Sequence, residues 1–579
     1  MPKTYPRITF GLYGLSIKKD ATIDFDDHFE WSKAEDIITG NVGTKPLATF
    51  EPNFWLLDGN YKIPPVDNSV IHAGILSEKL TGGDGLFASP IFLTVNFGVV
   101  HSSNGLTLRF AAASNDYANA IEITYYNDVD AVIRTDAYYP TSWEFSTEQA
   151  VNNFKSIAIK FIGTNKPFRR LRLTGIDFGT LIYFERGEVR SASVVQEINP
   201  ISTELPIDTL ELTVISNDAE FSIVNPAGNY AALQTRQPLD VYEFVNEAPT
   251  YLGKFYLRTW EAISEKVTKF VAQDAIGILD AEEYLGGMFI NEDSDALIES
   301  ILSSANIPYE LDPTLYNIPI TGWIPVCTCR EALRQIAFAI GAVVTSSNTG
   351  LLRIFPVTLA SEYEEHDQTL TKAKKGSSQS LGLKPIVTGV EITAHSFTEE
   401  EPQYADGGNT TINEKTVFRG ALSVGTHTIK LKDPTHSAYI FAGSNAIIDS
   451  YGANYVVVTK SVSAGDIEIR GFGYIDGKRT FSVYTEGLDE SVPANILKVQ
   501  DATLVNPANA QQVTQRVYDY HQQRYVQKVK LYVPEIVIAS SVKVDTHANK
   551  HIGGVAEKME FNLTDGFTAQ AKIVGVVLP

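Results

Sequence analysis

The sequence predicts a mainly β (α+β) protein, and three observations support this fold class. Short runs that alternate apolar and polar residues recur roughly every ten to fifteen residues, each bounded by Gly, Pro, Asn or Asp. Hydrophobic residues make up 44% of the chain and charged residues 20%, with 41 Gly, 27 Tyr and 29 Phe, a composition that suits strands and turns. Because 579 residues exceed what one core can hold, we expect about three to five domains.

The charge and the apolar runs of the chain argue against several classes of protein. A formal net charge of -22 is unfavourable for sequence-specific nucleic-acid binding, which needs a basic surface to displace counterions. The same acidity would suit a channel through which DNA slides, but it is also common in soluble bacterial proteins. No apolar run reaches the roughly 18 to 20 residues of a membrane span, and the N-terminus lacks a signal-peptide pattern. We therefore expect synthesis in a cytoplasm.

The N-terminal third contains the densest strand pattern. Residues 5–50 hold short strands, and residues 51–179 hold alternating runs that predict a separate sandwich or jelly roll. Arg169 and Arg170 precede one of these runs and indicate a solvated or ion-paired edge. Exposed aromatic rings on such a domain could stack on sugars, although a sandwich also buries several aromatics in its core. The aromatic candidates are Trp55, Tyr117, Tyr138, Tyr139 and Trp143, and no sugar site is assigned among them.

Residues 251–280 predict a strand hairpin that turns at Ser264–Lys266 and leads into a helical region. Both of its faces carry apolar or aromatic groups, so the hairpin is buried either inside one domain or against another subunit. We expect Trp260 to be buried. With a period of two, the predicted faces are Phe255, Leu257 and Thr259 on one side, and Tyr256, Arg258 and Trp260 on the other.

Residues 281–360 predict one mixed α/β unit with two helices. The first helix follows the short polar side chains of residues 293–295, which can cap its first turn. The second begins with a capping box formed by Thr328 and Glu331 and ends at Gly341, where a C-terminal cap belongs. A strand hairpin follows it.

The C-terminal part of the chain returns to strand patterning. The polar residues 361–384 indicate a surface connection, and residues 385–490 predict a β barrel or sandwich. The acidic loop Glu399–Glu401 could bind calcium or be solvated, and it lacks the alternating ligands of an EF-hand. Residues 491–579 predict a helix that starts after Asn506, followed by a strand meander.

Few residues suggest catalysis. His547 and His551 with Asp545 have the side chains of metal ligands, but they lie in a connection between strands instead of on one helical face. Cys327 and Cys329 are too close for an ordinary disulfide and are interpreted as apolar fillers at a helix start. No nucleophile elbow, zincin, Walker or dinucleotide motif occurs. The 69 acidic residues could still hide a glycosidase pair, but we predict no catalytic residue, no metal site and no cofactor.

Four segments carry motifs of one protein family: residues 251–280, Ile207–Leu212, the helix and hairpin CREALRQIAFAIGA and GLLRIFPV, and Met559–Leu563 with Gly566–Thr568. In these motifs the chain resembles the tail (baseplate) hub proteins of the tube-domain family, found in phages and prophages of Gram-positive bacteria. The resemblance implies two tube-type β-barrel domains. The first would come from residues 180–280 and the N-terminal strands of 1–50, and the second from the helix and meander of 491–579.

Residues 51–179 carry a second set of motifs, namely Phe54–Gly59, Ser103–Leu108, Lys166–Arg170 and Gly175–Gly179. In these the segment resembles an accessory domain of the same hub proteins, which is similar to discoidin-like and carbohydrate-binding jelly rolls. The resemblance implies a domain inserted into the first tube domain, with a potential glycan contact. Insertions are tolerated where two chain ends lie close at a surface loop.

The expected division is 1–50 and 180–280 for the first tube domain, 51–179 for the insertion, 281–384 for the α/β unit and connection, 385–490 for a barrel or sandwich, and 491–579 for the second tube domain. The resemblance implies a homotrimeric ring at the tail tip or baseplate of a virion or phage-derived particle. Its implied partners are the tail tube, distal tail proteins, a spike, fibre or tip protein, and a host glycan. A carbohydrate-binding adhesin and a polysaccharide-degrading tail enzyme are the alternatives.

Overall fold

The computed structural model is mainly β, which confirms the predicted fold class. It describes residues 3–25, 27, 34, 36–39, 51, 74–112, 114–216, 219–225, 228–359, 367–371, 375–405, 411–443, 445–462, 465–487, 492–546, 550–564 and 566–578. No α-helix in these ranges is long and apolar enough to cross a membrane.

The strands are given in chain order. Those before residue 300 are β1 (Thr4–Tyr13), β2 (Ala21–Phe25), β3 (Ile75–Leu80), β4 (Leu86–Ser103), β5 (Thr107–Phe110), β6 (Ala118–Tyr126), β7 (Val132–Tyr138), β8 (Glu144–Ser146), β9 (Val151–Thr164), β10 (Arg170–Asp177), β11 (Gly179–Phe184), β12 (Val189–Glu197), β13 (Thr209–Ile215), β14 (Pro238–Val245), β15 (Ala248–Ser264), β16 (Val267–Gln273), β17 (Glu283–Tyr284) and β18 (Gly287–Asp293).

The later strands are β19 (Tyr309–Leu311), β20 (Pro319–Ile324), β21 (Cys327–Thr328), β22 (Ala342–Thr345), β23 (Leu352–Pro356), β24 (Gln368–Leu370), β25 (Lys375–Leu383), β26 (Gly389–Glu399), β27 (Lys415–Ala421), β28 (Gly425–Lys430), β29 (Thr435–Ala442), β30 (Ala446–Gly452), β31 (Tyr455–Lys460), β32 (Asp466–Tyr484), β33 (Ile496–Val499), β34 (Tyr525–Tyr532), β35 (Ser541–Asp545), β36 (His551–Asn562) and β37 (Thr568–Val577). The helices are α1 (Leu15–Asp20), α2 (Asp36–Thr39), α3 (Ala275–Leu279), α4 (Ser294–Ser304), α5 (Cys329–Ile340) and α6 (Ala510–Gln522).

The largest sheet, called the main sheet below, joins strands from both ends of the chain. Its order is β11-β1-β14-β15-β16-β13-β12-β36-β37-β34-β25, with β35 beside β36 and β24 beside β35. The two halves meet where β12 pairs antiparallel with β36, from Ser193 opposite Asn562 to Glu197 opposite Lys558. Strands of both predicted tube domains therefore share one continuous sheet. The sequence predicts a surface connection at 361–384, whereas β24 and β25 of this range pair with β35 and β34.

One hydrophobic core underlies both halves of the main sheet. A row of core-facing side chains crosses the junction in register, and each is at most 4% exposed. Because the row is continuous across β12 and β36, separating the halves would expose apolar surface on both. The row consists of Leu257, Ala272, Leu210, Val194, Phe561, Ala569 and Leu531.

A β sandwich is inserted between β1 and β11. Its two sheets, β2-β4-β9-β6-β7 and β3-β10-β5-β8, enclose a separate core. The chain leaves the main sheet at Tyr13 and returns at Gly179, which are direct partners on adjacent strands. The N–H of Gly14 donates to the carbonyl of Phe178 at 2.8 Å, so the two crossings lie side by side, as an insertion requires. Residues 1–50 are expected to complete the first tube domain, but β2 of this range pairs with β4 of the sandwich.

The α/β unit contains α3, α4 and α5 around a core of its own. The N-terminal cap of α5 is confirmed at Thr328, whose hydroxyl accepts from the N–H of Glu331 at 3.2 Å. The second half of the predicted capping box differs, because the carboxylate of Glu331 accepts from Arg334 and Gln335 instead of from the N–H of Thr328. The C-terminal cap is confirmed at Gly341, which has a left-handed φ of 80°. The predicted side-chain cap of α4 is wrong, because the hydroxyl of Ser294 instead donates to the carbonyl of Leu315 in a neighbouring loop. The hairpin predicted after α5 is confirmed as β22 and β23.

The strands β26 and β32 form a long antiparallel ribbon, called the arm below. It is paired from Gly389 opposite Tyr484 to Glu399 opposite Tyr474. Beyond it, β27, β29 and β32 face the sheet β28-β31-β30 and form a small barrel around its own core. The sequence predicts a β barrel or sandwich between residues 385 and 490, and the strands of this range lie in the arm and in this small barrel.

Helix α6 lies against the arm. Its apolar residues Val513 and Val517 share a core with Val390 of β26. The resemblance implies that this helix belongs to the second tube domain, but its apolar face packs on the arm instead of on the main sheet. The hydroxyl of Tyr520 links α6 to the main sheet by donating to the carboxylate of Glu557 at 2.8 Å. The helix begins at Ala510 instead of directly after Asn506, because residues 507–509 form turns.

Candidate assembly surfaces and carbohydrate-contact residues

The hairpin of β15 and β16 contains a β-bulge that changes which side chains face the core. The register shifts between Leu257 and Thr259, so Arg258 is the extra residue. A bulge of one residue moves the following side chains to the opposite faces. Trp260 therefore pairs with Phe270 and packs on the core, half-buried, while Thr259 is exposed. The period-two prediction is right up to Leu257 and wrong beyond it, and Trp260 is half-buried instead of fully buried.

In the described part of the chain no further strand pairs with either end of the main sheet, β11 at one end and β25 at the other. The sandwich covers the start of β11, where the N–H of Leu181 donates to the hydroxyl of Ser146 at 3.3 Å and the hydroxyl of Thr107 donates to the carbonyl of Gly179 at 3.1 Å. On β25, Leu381 and Leu383 lie on the core-facing side, yet they are 53% and 55% exposed. On β11, the core-facing side chains are Ile182 and Phe184. Open edges present unpaired backbone N–H and C=O groups that can pair with another chain. Here both edges also place apolar side chains on the same side of the sheet.

The sheet next to the β25 edge is basic, although the chain is acidic. The three adjacent strands β25, β34 and β37 contain four lysines and neither Asp nor Glu. Lys528 lies directly opposite Lys572, and like charges in such a pair repel each other. Lys572 is paired with Glu557 at 3.1 Å, whereas Lys528 is exposed. This surface therefore favours an anionic neighbour.

The aromatic residues considered for sugar contact do not form one site. Tyr117, Tyr138 and Trp143 are half-buried and pack against the sandwich core. Tyr139 is 75% exposed. Trp55 lies outside the described residues. Among the four of these aromatic residues that the structure describes, Tyr139 is therefore the one with a ring open to a ligand.

Arg169 takes part in a buried ion cluster of the sandwich. Its Nε lies 3.4 Å from Asp116, and the Nη1 of Arg172 donates to the same carboxylate at 3.0 Å. Arg172 also bonds Glu51, which is fully buried. The N–H of Arg170 donates to Glu51 at 2.9 Å. Burial at 7% exposure or less makes this a structural cluster for Arg169 and Arg172 instead of a solvated edge.

Two buried carboxyl groups meet where the main sheet contacts the α/β unit. Asp208 accepts from the hydroxyl of Ser347 at 2.5 Å, and Asp274 accepts from the hydroxyl of Ser346 at 2.7 Å. Burial raises the pKa of Asp274 to about 6, and burial together with the charge of Asp274 raises the pKa of Asp208 well above its ordinary value. Paired carboxyls perform glycoside hydrolysis in enzymes. These two are at most 2% exposed, so a polysaccharide cannot reach them.

The residues with ligand-like side chains do not assemble into a metal centre. His551 pairs across strands with Asp545 at 2.9 Å, and His547 lies outside the described residues. Glu400 of the acidic loop is 3.3 Å from the ammonium of Lys415. In the ranges that the structure describes, no three His, Cys, Asp or Glu side chains are arranged to hold a metal ion.

A groove of about 530 Å³ lies between the start of α5 and the segment after β33. Its arginines and lysine are engaged with carboxylates. The paired charges are Arg330 with Asp280 at 3.2 Å, Arg334 with Glu331 at 2.6 Å, and Lys498 with Glu391 at 2.9 Å.

The two cysteines near this groove are not poised as nucleophiles. Cys329 lies buried at the start of α5 with a free thiol, and burial raises the pKa of the free thiol of Cys327 to about 12.

Sequence reasoning missed the open edge at β25 and the junction at β12. The signal for the edge was present, because Leu381 and Leu383 alternate with small residues in a lysine-flanked segment. The junction has no local signal, since Val194 and Phe561 are brought together only by the fold. The bulge at Arg258 likewise follows an unbroken alternating pattern.

No protein-family model matches this sequence, and no curated protein matches it. Several solved structures are similar in fold. A 43 kDa tail protein of prophage MuSo2 from Shewanella oneidensis is 11% identical, with 68% of this chain and 95% of that chain covered and a TM-score of 0.39. A tail protein from Neisseria meningitidis is 9% identical, with 68% and 93% covered and a TM-score of 0.40. The family 32 carbohydrate-binding module of NanJ from C. perfringens, solved with galactose, is 12% identical, with 30% and 99% covered and a TM-score of 0.19.

Proposed function

We propose that the chain is a structural hub of a phage tail tip, or of a phage-derived particle, in which three copies join their main sheets into a ring. The observation that carries this proposal is the main sheet itself. It combines two β modules per chain, it has a single continuous core, and no described strand pairs with the outer side of either end strand, β11 or β25. Three such chains supply six modules, a number that matches a sixfold tail tube.

The ring would form by pairing β11 of one copy with β25 of the next. The core-facing sides of these edges carry Ile182 and Phe184 on one strand and Leu381 and Leu383 on the other, so the core would continue across the joint. A permanent joint of this kind should bury more than about 1,000 Å².

The remaining parts of the proposal follow from the ring. One rim would contact the tail tube and distal tail proteins, and the other a spike, fibre or tip protein. The sandwich, inserted at one end of the sheet, would project from the ring, where Tyr139 could contact a host glycan. In this role the chain has no catalytic function, and the burial of Asp208 and Asp274 is consistent with that.

The edge pairing is tested by the mass of the particle in solution. Leu381→Asp combined with Leu383→Asp places two carboxylates on the joint without touching a buried residue. We expect native mass spectrometry to give three times 63.7 kDa for the unaltered chain and a monomer for this variant. Ile475→Asp is the matched control, since Ile475 is 56% exposed on the arm. A monomeric unaltered chain, or a trimer that survives the double substitution, would refute the edge pairing.

A carbohydrate-binding adhesin is the second candidate, and the exposure of Tyr139 favours it over an enzyme. Tyr139→Ala should weaken attachment to cells or glycans without changing the melting temperature. The half-buried Tyr117 is the matched control, because Tyr117→Ala should lower stability first. Glycan binding by a chain that stays monomeric would favour the adhesin over the hub.

A further inference from the structure

His395 lies on the arm in a setting where both ring nitrogens face hydrogen-bond acceptors. Its Nδ1 is 2.8 Å from the carboxylate of Asp476, and its Nε2 is 2.9 Å from the backbone carbonyl of Gln500. A carbonyl oxygen cannot donate, and an ionised carboxylate cannot donate. Both bonds therefore exist together only when His395 is an imidazolium, or when Asp476 carries the proton. In either case the contact holds one proton more than a neutral histidine and an ionised aspartate together.

The site is closed enough for that proton to affect the structure. His395 is 4% exposed, so water cannot replace a lost hydrogen bond without opening the arm. In the described ranges, the charged groups recorded against His395 are Asp476 and, through it, Lys478, whose ammonium is 3.6 Å from the same carboxylate. Lys478 is also the direct cross-strand partner of His395. A protonated imidazole is tolerated beside Lys478 only because Asp476 lies between them.

The position of His395 determines what the proton controls. On the body side of His395, Val390 and Ile392 of the arm pack on α6, and on the far side the arm leads to the barrel. Gln500 belongs to the segment that joins β33 to α6. The bond from Nε2 to Gln500 is thus the outermost fastening between the arm and this segment, together with the bond from the N–H of His395 to the carbonyl of Val505 at 2.8 Å.

A second fastening of the barrel lies nearby and uses no titratable group. Asn454 of the barrel is 1% exposed, and its amide donates to the carbonyls of Leu285 and Ile324 in the α/β unit at 2.9 and 2.6 Å. The indole N–H of Trp323 donates to the same side chain at 2.7 Å. The ring of Trp323 also contacts Phe397, which stacks on His395. The two fastenings are therefore in contact, and only one depends on a proton.

We propose that His395 and Asp476 form a pH-dependent fastener that holds the arm to the α6 segment at mildly acidic pH and releases it as the pH rises. Histidine is the side chain that ordinarily changes charge between about pH 5 and 8. When the extra proton leaves, Nδ1 or Nε2 presents a lone pair to an acceptor, and one of the two bonds is lost. This part of the arm then loosens from the α6 segment, while the pairing of β26 with β33, the packing of Val390 and Ile392 on α6, and the bonds of Asn454 keep the arm attached to the body.

The test is hydrogen–deuterium exchange of the full-length chain, with peptides covering residues 390–400 and 474–484 compared at pH 5.5 and 8.5 after correction for the intrinsic rate. We expect protection of these peptides to fall about tenfold or more on raising the pH, the effect of one unit of proton linkage. His395→Gln should give low protection at both values. His427→Gln, at another histidine of the barrel, is the control and should behave like the unaltered chain.

Asp476→Asn makes the decisive comparison. The amide of an asparagine can donate to a neutral Nδ1 while Nε2 donates to Gln500, so this variant needs no extra proton. We expect it to keep high protection at both pH values. The proposal is overturned if the unaltered chain shows no pH dependence in these peptides, or if Asp476→Asn retains the pH dependence of the unaltered chain.

Discussion

The two halves of the main sheet and the inserted sandwich are joined to the molecule in opposite ways. The halves share a row of buried apolar side chains that crosses from β12 to β36 without interruption. The sandwich has its own core, and its border with β1 and β11 is polar, with Nη2 of Arg109 donating to the hydroxyl of Tyr13 at 2.5 Å and the hydroxyl of Thr107 donating to the carbonyl of Gly179 at 3.1 Å. A shared apolar core makes two modules one folding unit, whereas a polar border between separate cores lets one module be removed.

The largest expected effect comes from breaking the shared row. Val194→Asp buries a carboxylate at a position that is 0% exposed, directly beside Phe561 of the other half. We expect a loss of more than about 4 kcal/mol in the free energy of unfolding, because a buried charge without a partner is among the costliest substitutions. Thermal unfolding should show both halves melting together at a lower temperature, while the transition of the sandwich stays in place.

The control for this substitution is Ser193→Asp, which puts the same side chain on the opposite, exposed face of β12. It should change stability by less than about 1 kcal/mol. If Val194→Asp destabilises only one half of the main sheet, the two modules are not one unit.

A smaller effect is expected at Trp260, where the bulge moves the indole onto the core face. Because the ring is half-buried, Trp260→Ala should cost about 2 kcal/mol, less than the roughly 3 to 5 kcal/mol of a fully buried tryptophan. Chemical denaturation would measure this. Thr259→Ala, at the exposed neighbour, should leave the free energy of unfolding nearly unchanged. If Thr259→Ala cost more stability than Trp260→Ala, the faces of β15 would alternate without a bulge.

The shared core also predicts a pH dependence through Glu243. This side chain is fully buried on the core-facing side of β14, and burial raises its pKa to about 8 against the smaller, opposing effect of a hydrogen bond from Thr4. An acid whose pKa is raised on folding binds its proton in the folded state, so its contribution to stability decreases as the pH rises from about 4 to about 8. Between these pH values, the free energy of unfolding should fall by about 1.4 kcal/mol per pH unit, the value for one proton.

Glu243→Gln removes the titrating proton and keeps the shape of the side chain. The variant should be more stable than the unaltered chain at pH 8, with the two unfolding curves converging toward pH 4. Glu265→Gln, in the exposed turn between β15 and β16, serves as the control. Equal slopes for the unaltered chain and Glu243→Gln would mean that Glu243 is ionised in the folded protein.

The smallest effect is expected from removing the sandwich. Tyr13 and Gly179 are paired on adjacent strands, so replacing residues 14–178 by a two-residue Asn-Gly turn should close a hairpin between β1 and β11. The main sheet should keep its melting temperature, and residues 14–178 expressed alone should fold. Failure of the shortened chain to assemble, while the intact chain does, would place the sandwich in the ring.

The sequence anticipates features that are encoded locally. The cap at Thr328 and the left-handed end at Gly341 follow from side chains a few residues apart, and the strands of the sandwich follow from short alternating runs. The pairing of β12 with β36 could not be predicted, because each strand alone offers the same alternating pattern to any partner. The burial of Glu243 was equally hidden, since its neighbours in sequence are those of an ordinary edge carboxylate. The mutual position of β11 and β25 in an assembly depends on a second chain.

A reconstruction of the purified particle by cryo-electron microscopy, at a resolution that traces strands, tests the central claim most directly. The account predicts three copies around one axis, with β11 of each copy hydrogen-bonded to β25 of the next and with Leu381 and Leu383 covered at the joint. A particle in which these two edges face solvent, or in which the chain occurs as a single copy, would contradict it.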